Sequence, residues 1–148
     1  MDKAIQNFFE AESNLTFCTA NDNAPYCANC FYAFMEEGNY LVIKSDAGTQ
    51  HIKNALINDK VAGTVVPNIH KIGSIKGIQF TGKFSVPQGD LFSKAKSKYY
   101  LKHPVSIALP GELWLIELET VKMIDNTLGF GKKLKWEKEL RELEVEKS

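Results

Sequence analysis

The apolar positions of this chain change period along its length, and each change marks an element. Near the start, Ile5, Phe8 and Phe9 recur at the i, i+3, i+4 spacing of one helical face. Asp2 stands where an N-cap accepts from the first turn, so the spacing predicts a short helix to about Glu12. From residue 15 the pattern turns to alternation and β-branched runs. Residues 15–20, 26–35 and 40–45 read as strands, joined by Asn21-Asp22-Asn23-Ala24-Pro25 and Glu36-Glu37-Gly38-Asn39, both rich in turn-forming residues. Helical spacing returns at Ile52, Ala55 and Leu56 behind a cap at Thr49, and Asn58-Asp59 ends it. Strands over 61–67 and 74–86 follow, the second crossed by Gly77 and Gly82, which predicts a bulge or close approach by another group. A third helix, capped by Asp90, carries Phe92, Ala95 and Tyr99. Residues 112–119 alternate, with Leu113, Leu115 and Glu117 on one face and Trp114, Ile116 and Leu118 on the other, and 121–124 continues as strand after a bend.

About six strands joined mostly by hairpins exclude a doubly wound parallel sheet, whose strands need long crossovers. The pattern predicts an α+β fold, an antiparallel sheet closed into a small barrel with short outer helices. A length of 148 residues suits a single domain, 1–148, with a charge-dense tail over about 137–148. Hydrophobic residues at 44% and charged residues at 24% leave no case for disorder. Lys+Arg and Asp+Glu both count 18, and a chain without basic excess is not expected to bind nucleic acid. No apolar run approaches the roughly 18 residues of a membrane span, and the acidic start has no secretory h-region. Three cysteines, an odd number, argue against a disulfide framework, and the expected location is cytoplasmic.

Composition leaves the chemistry open, so the motifs matter. Cys27-x-x-Cys30 lacks the second ligand pair a zinc site needs, because Cys18, His51, His70 and His103 show no paired spacing. Residues three apart on a strand also point to opposite faces, so no metal is expected. No nucleophile elbow or P-loop is present. Gly129-Phe130-Gly131-Lys132-Lys133 is too short for the latter, yet its glycines allow close backbone approach beside Lys132. It also reads as a turn before a surface strand. The best anion candidate is Lys44-Ser45 at a strand end, followed by Thr49-Gln50-His51 at a helix N-terminus, where free N–H groups favour a phosphate. The same residues also read as a cap with solvated side chains. Gln79 offers an amide that both donates and accepts along a heteroaromatic edge, or is the outward polar position of an amphipathic strand.

The order of strand 28–32, strand 41–45, helix 49–53, strand 61–65 and strand 78–82 resembles the pyridoxamine 5′-phosphate oxidase-like superfamily, the FMN-binding split β-barrels. The stretch from Asp125 to Trp136, with Cys27-Ala28-Asn29, Thr49-x-His51, Ala62-Gly63-Thr64 and Gly77-x-Gln79-Phe80, is similar to a small uncharacterised bacterial branch of it. The resemblance implies a homodimer with two equivalent FMN sites at the subunit interface and a small-molecule substrate. It assigns the FMN phosphate to Lys44, Ser45, Thr49 and His51, and the ring to the neighbourhood of Gln79 and Asn29. The superfamily's Ser-x-Lys is here Thr49-Gln50-His51, and the oxidase's arginine-rich C-terminal motif is absent, which argues against pyridoxamine phosphate oxidation. The expected activity is FMN-dependent oxidation and reduction, with electrons from a reduced nicotinamide and no side chain assigned as catalytic. The alternative is a flavin- or haem-binding storage module on the same dimeric barrel.

Overall fold

The computed structural model describes residues 1–129 and 132–138. Its elements are α1 (Lys3–Ala11), β1 (Asn14–Asn21), β2 (Ala24–Met35), β3 (Tyr40–Ser45), α2 (Gln50–Ile57), β4 (Lys60–Val65), β5 (Lys76–Ser85), α3 (Gly89–Lys102), β6 (Glu112–Asp125) and β7 (Lys133–Glu137). A 3-10 turn, Pro104–Ala108, follows α3. All strand pairs are antiparallel, in the order β3-β2-β1-β4-β5-β6-β7. A further pairing of β3 with β6 closes six of the strands into a ring and leaves β7 outside it.

Local chemistry explains the turns. Asp22 and Asn23 both take positive φ, 49° and 61°, and together form the two-residue loop that right-twisted hairpins favour. Between β2 and β3 the loop is four residues, 36–39, and its last two, Gly38 and Asn39, take positive φ of 84° and 55°. The expected bulge falls at Thr81/Gly82, where β5 shifts register against β6. A Cβ on Gly82 would stand 2.6 Å from the Glu117 carbonyl oxygen, so the backbones meet there because no side chain intervenes.

Alternation sorts the apolar residues into two layers. Phe17, Tyr32, Phe34, Leu41, Ile43, Ile78, Phe80 and Ile116 fill the inside of the ring. α1 adds Ile5, Phe8 and Phe9 to this core, and α2 adds Ile52 and Ala55. α3 lies on the outer face, its Ala95 and Tyr99 against Ala33, Met35, Val42, Leu113 and Leu115. The first half of β6 is therefore apolar on both faces.

Some boundaries differ from the sequence reading. Gln88 is the N-cap of α3, and Asp90 lies two residues on, within the first turn, where its charge still suits the helix dipole. β6 runs unbroken through Thr120, and β7 begins before the expected tail. The remaining tail, 139–148, and the pair Phe130-Gly131 of the glycine motif lie outside the described residues. Among the described residues no helix is long and apolar enough to cross a membrane.

Candidate functional site

Three of the expected phosphate ligands converge. Ser45 continues the inward alternation of Leu41 and Ile43 to the last position of β3. Its Oγ lies 2.7 Å from His51 Nε2, and Thr49 Oγ1 lies 3.3 Å from that nitrogen and 3.5 Å from Ser45 Oγ. The Trp114 indole N–H donates to the Ser45 carbonyl at 2.8 Å and fixes the strand end. Thr49 precedes α2 but does not cap it with its side chain: its hydroxyl donates to the Asp46 carbonyl at 2.8 Å. The first-turn N–H groups of α2 thus have no side-chain acceptor from the cap residue, which suits an anion. The His51 ring stands edge-on to Phe17, centroids 6.0 Å apart. Burial holds its pKa below the ordinary value, so the ring is neutral at pH 7 and offers one donor and one acceptor nitrogen.

Lys44 does not join this cluster. As the neighbour of Ser45 on a strand it faces the other way. Its ammonium donates to the carbonyls of Ser106 at 2.6 Å and Leu109 at 2.7 Å and lies 5.0 Å from the Tyr100 ring centre. The residue expected to grip phosphate ties the 3-10 turn to the barrel instead.

Asn29 and Gln79 fall into one polar row on the open outer face. Registers place Asn29 opposite Thr16, Thr16 opposite Thr64, Thr64 opposite Gln79, Gln79 opposite Lys122, and Lys122 opposite Lys135. Thr16 Oγ1 donates to Asn29 Oδ1 at 3.1 Å. A groove of about 690 Å³ lined by Thr16, Asn29, Phe31 and Thr64 flanks one end of the row. A second, about 250 Å³, is lined by Gln79, Lys122, Lys135 and Trp136. Lys132 lies outside the row, exposed ahead of β7, and the row's cationic end is Lys122 with Lys135. Ser45 faces inward while Asn29 and Gln79 face outward, and among the described residues no hydrogen bond joins the two groups.

No family model matches the chain. A UPF0306 protein of Photorhabdus laumondii is 38% identical over 134 residues, 90% of this chain and 94% of the relative. A UPF0306 protein of Yersinia pseudotuberculosis is 39% identical over 132 residues, 89% of this chain and 90% of the relative. The chain belongs to the UPF0306 family. Solved structures supply the fold. A haem-binding protein from Mycobacterium smegmatis superposes with a TM-score of 0.76 at 13% identity, over 93% of this chain and 59% of that one. A FAD-binding protein from Mesorhizobium loti gives 0.63 at 18% identity, over 82% and 92%. A pyridoxine phosphate oxidase-family protein from Clostridium acetobutylicum gives 0.64 at 10%, over 91% and 92%. The UPF0306 chain is thus a split barrel, as its strand order suggested.

Sequence reasoning missed Thr16, Thr64, Lys122 and Lys135. Each is visible as the outward position of an alternating strand. Their alignment into one row depends on register between strands, which no local pattern encodes.

Proposed function

We propose that this protein binds FMN and uses it as an oxidoreductase, in a homodimer whose open sheet faces complete two equivalent sites. The carrying observation is the convergence of Ser45, Thr49 and His51 at the α2 N-terminus. The Ser45 hydroxyl, an imidazole and the first-turn N–H groups form a donor set that fits a phosphate monoester. Asn29 and Gln79, with the two lysines at the end of their row, supply amide and cationic partners for a polar heteroaromatic ring. Because the two groups face opposite sides of their strands, contributions from a second copy are part of this reading. When bound, FMN supplies a ring that accepts a hydride from a reduced nicotinamide and passes electrons to a small acceptor. The protein's part is to hold and orient it: Ser45 and the first-turn N–H groups of α2 donate to the phosphate, Thr49, its proton held by the Asp46 carbonyl, lines the site, and His51 takes up a proton as the dianion arrives.

The test is a visible spectrum of the purified protein followed by an FMN titration and a sedimentation measurement of mass. Expected are flavin binding in the micromolar range or tighter, a dimer, and bleaching by reduced nicotinamide. No binding at tens of micromolar would sink the proposal. The haem-binding name of one structural neighbour supports a second reading, carriage of a flavin or haem without turnover. A bound chromophore that dithionite reduces and reduced nicotinamide does not would establish that reading instead.

A further inference from the structure

Cys27 and Cys30, the pair three apart in sequence, are separated by the sheet. Cys30 points inward, is buried with the core, and burial pushes its thiol up to about 11. Cys27 points outward and meets a different partner. It lies directly opposite Cys18 across the β1–β2 hairpin, and the two sulfurs are 3.3 Å apart. Both are free thiols, Cys27 exposed and Cys18 half-buried. Opposed residues of antiparallel strands have Cα atoms about 4.5 or 5.5 Å apart. Disulfides span roughly 4.4–6.8 Å between Cα atoms, so side-chain rotation alone can bring these sulfurs to the bonding distance of about 2.05 Å.

We propose that Cys18 and Cys27 form a redox dithiol that closes to a disulfide on oxidation by hydrogen peroxide and reopens on reduction by small thiols. Cys27 is the more exposed sulfur and reacts first. Its thiolate attacks one peroxide oxygen, the O–O bond breaks, and after protonation water leaves and Cys27 carries a sulfenic acid. The Cys18 sulfur attacks the Cys27 sulfur, the S–S bond forms, the S–O bond breaks, and a second water leaves. Two thiols are oxidised to one disulfide while one peroxide is reduced to two waters. Cys18, pushed up to about 11 by burial and by contact with Cys27, keeps its proton at rest, so Cys27 meets the peroxide first, and the Cys18 proton passes to the leaving hydroxide as the S–S bond forms.

The bridge would bracket the Asp22-Asn23 turn and staple two strands that are already paired, so the fold tolerates both states. Exposed disulfides are the labile, regulatory kind, and in a reducing compartment such a pair rests open. Cys18 and Cys27 lie two residues from Thr16 and Asn29 on the same outer face. Closing the bridge therefore alters the surface beside the polar row. The inference rests on the cysteine pair and does not require that FMN bind.

The test treats the reduced, full-length protein with equimolar hydrogen peroxide and then alkylates it. Cleavage before Asp22 separates Cys18 from Cys27 and Cys30. Expected are the loss of two hydrogens per chain, a peptide containing Cys18 linked to one containing Cys27, and full reversal by dithiothreitol. A Cys30→Ala variant should give the same link. Fragmentation of the wild-type peptide makes the assignment if that variant fails to fold. A sulfinic acid on Cys27 with Cys18 still alkylatable, a link to Cys30, a disulfide between two chains, or no reaction would each overturn the proposal.

Discussion

Replacing Lys44 by Met separates the two roles that this residue can have. The ammonium donates to the Ser106 and Leu109 carbonyls and sits over Tyr100. Hydrogen bonds to a charged group contribute about 1.5–3 kcal/mol each when fully protected. One of these is exposed and the other part-buried, and water replaces much of what is lost. The cation–π contact adds about 0.5–1 kcal/mol, while Met keeps most of the apolar stem. A net loss of about 2 kcal/mol is expected, and in a chain of this size that lowers Tm by roughly 4–8 °C. Thermal unfolding by circular dichroism measures it. FMN affinity, read by quenching of flavin fluorescence, should stay within about twofold because Lys44 faces away from Ser45 and His51. A tenfold or greater loss of affinity (about 1.4 kcal/mol or more) with unchanged Tm would refute this, since it would make Lys44 a phosphate ligand after all.

Ser45→Ala removes one donor to a charged phosphate and should weaken FMN binding roughly tenfold to a hundredfold, with little change in far-ultraviolet dichroism. His51 gives a pH signature. Its folded pKa lies below the unfolded value near 6.5, so the unfolded chain binds more protons between the two. Its contribution to stability is intact above pH 6.5 and is lost as the pH falls through the folded value; His51→Gln should flatten that slope in urea titrations. FMN binding works in the opposite sense, because the phosphate favours imidazolium, so calorimetry should show proton uptake and tighter binding toward pH 6; a pH-independent affinity would contradict it. At Gly63 a Cβ would stand 2.3 Å from both the Thr16 carbonyl oxygen and Phe80 Cζ. Gly63→Ala should cost about 3 kcal/mol in urea unfolding. Adding Phe80→Leu should not restore stability, because the backbone overlap with Thr16 remains.

Much of the architecture was legible because its signals are local. Asp2 caps α1 through Ala4 N as its position suggested, and the two faces of Trp114 and Leu115 follow from alternation alone. Where the reading failed, the deciding contact was distant. Lys44 finds its partners more than sixty residues away, in a turn whose position no pattern in β3 reveals. Its separation from Ser45 was nevertheless readable, since neighbours on a strand oppose each other. The cysteine pair was hidden by a vaguer turn: residues 21–25 taken together leave the hairpin register open. Once Asp22-Asn23 is a two-residue loop, Asn21 faces Ala24 and counting back places Cys18 against Cys27. The row from Asn29 to Lys135 needed five registers at once, and that information resides in the packed barrel.

The β3–β6 seam also has a kinetic consequence. The hairpins β1–β2 and β2–β3 join near neighbours, whereas the seam unites strands about seventy residues apart, which makes it a costly loop to close during folding. Loop length alone therefore predicts early hairpins and late closure of the ring, an order that φ-value measurements on β1–β2 and β3–β6 contacts would check. Ser45 sits at one end of that seam, opposite Glu112, with Trp114 donating to its carbonyl. Closing the seam is also what brings the Trp114 indole to the Ser45 carbonyl, so the strand end beside Thr49 and His51 gains that anchor only when the ring closes.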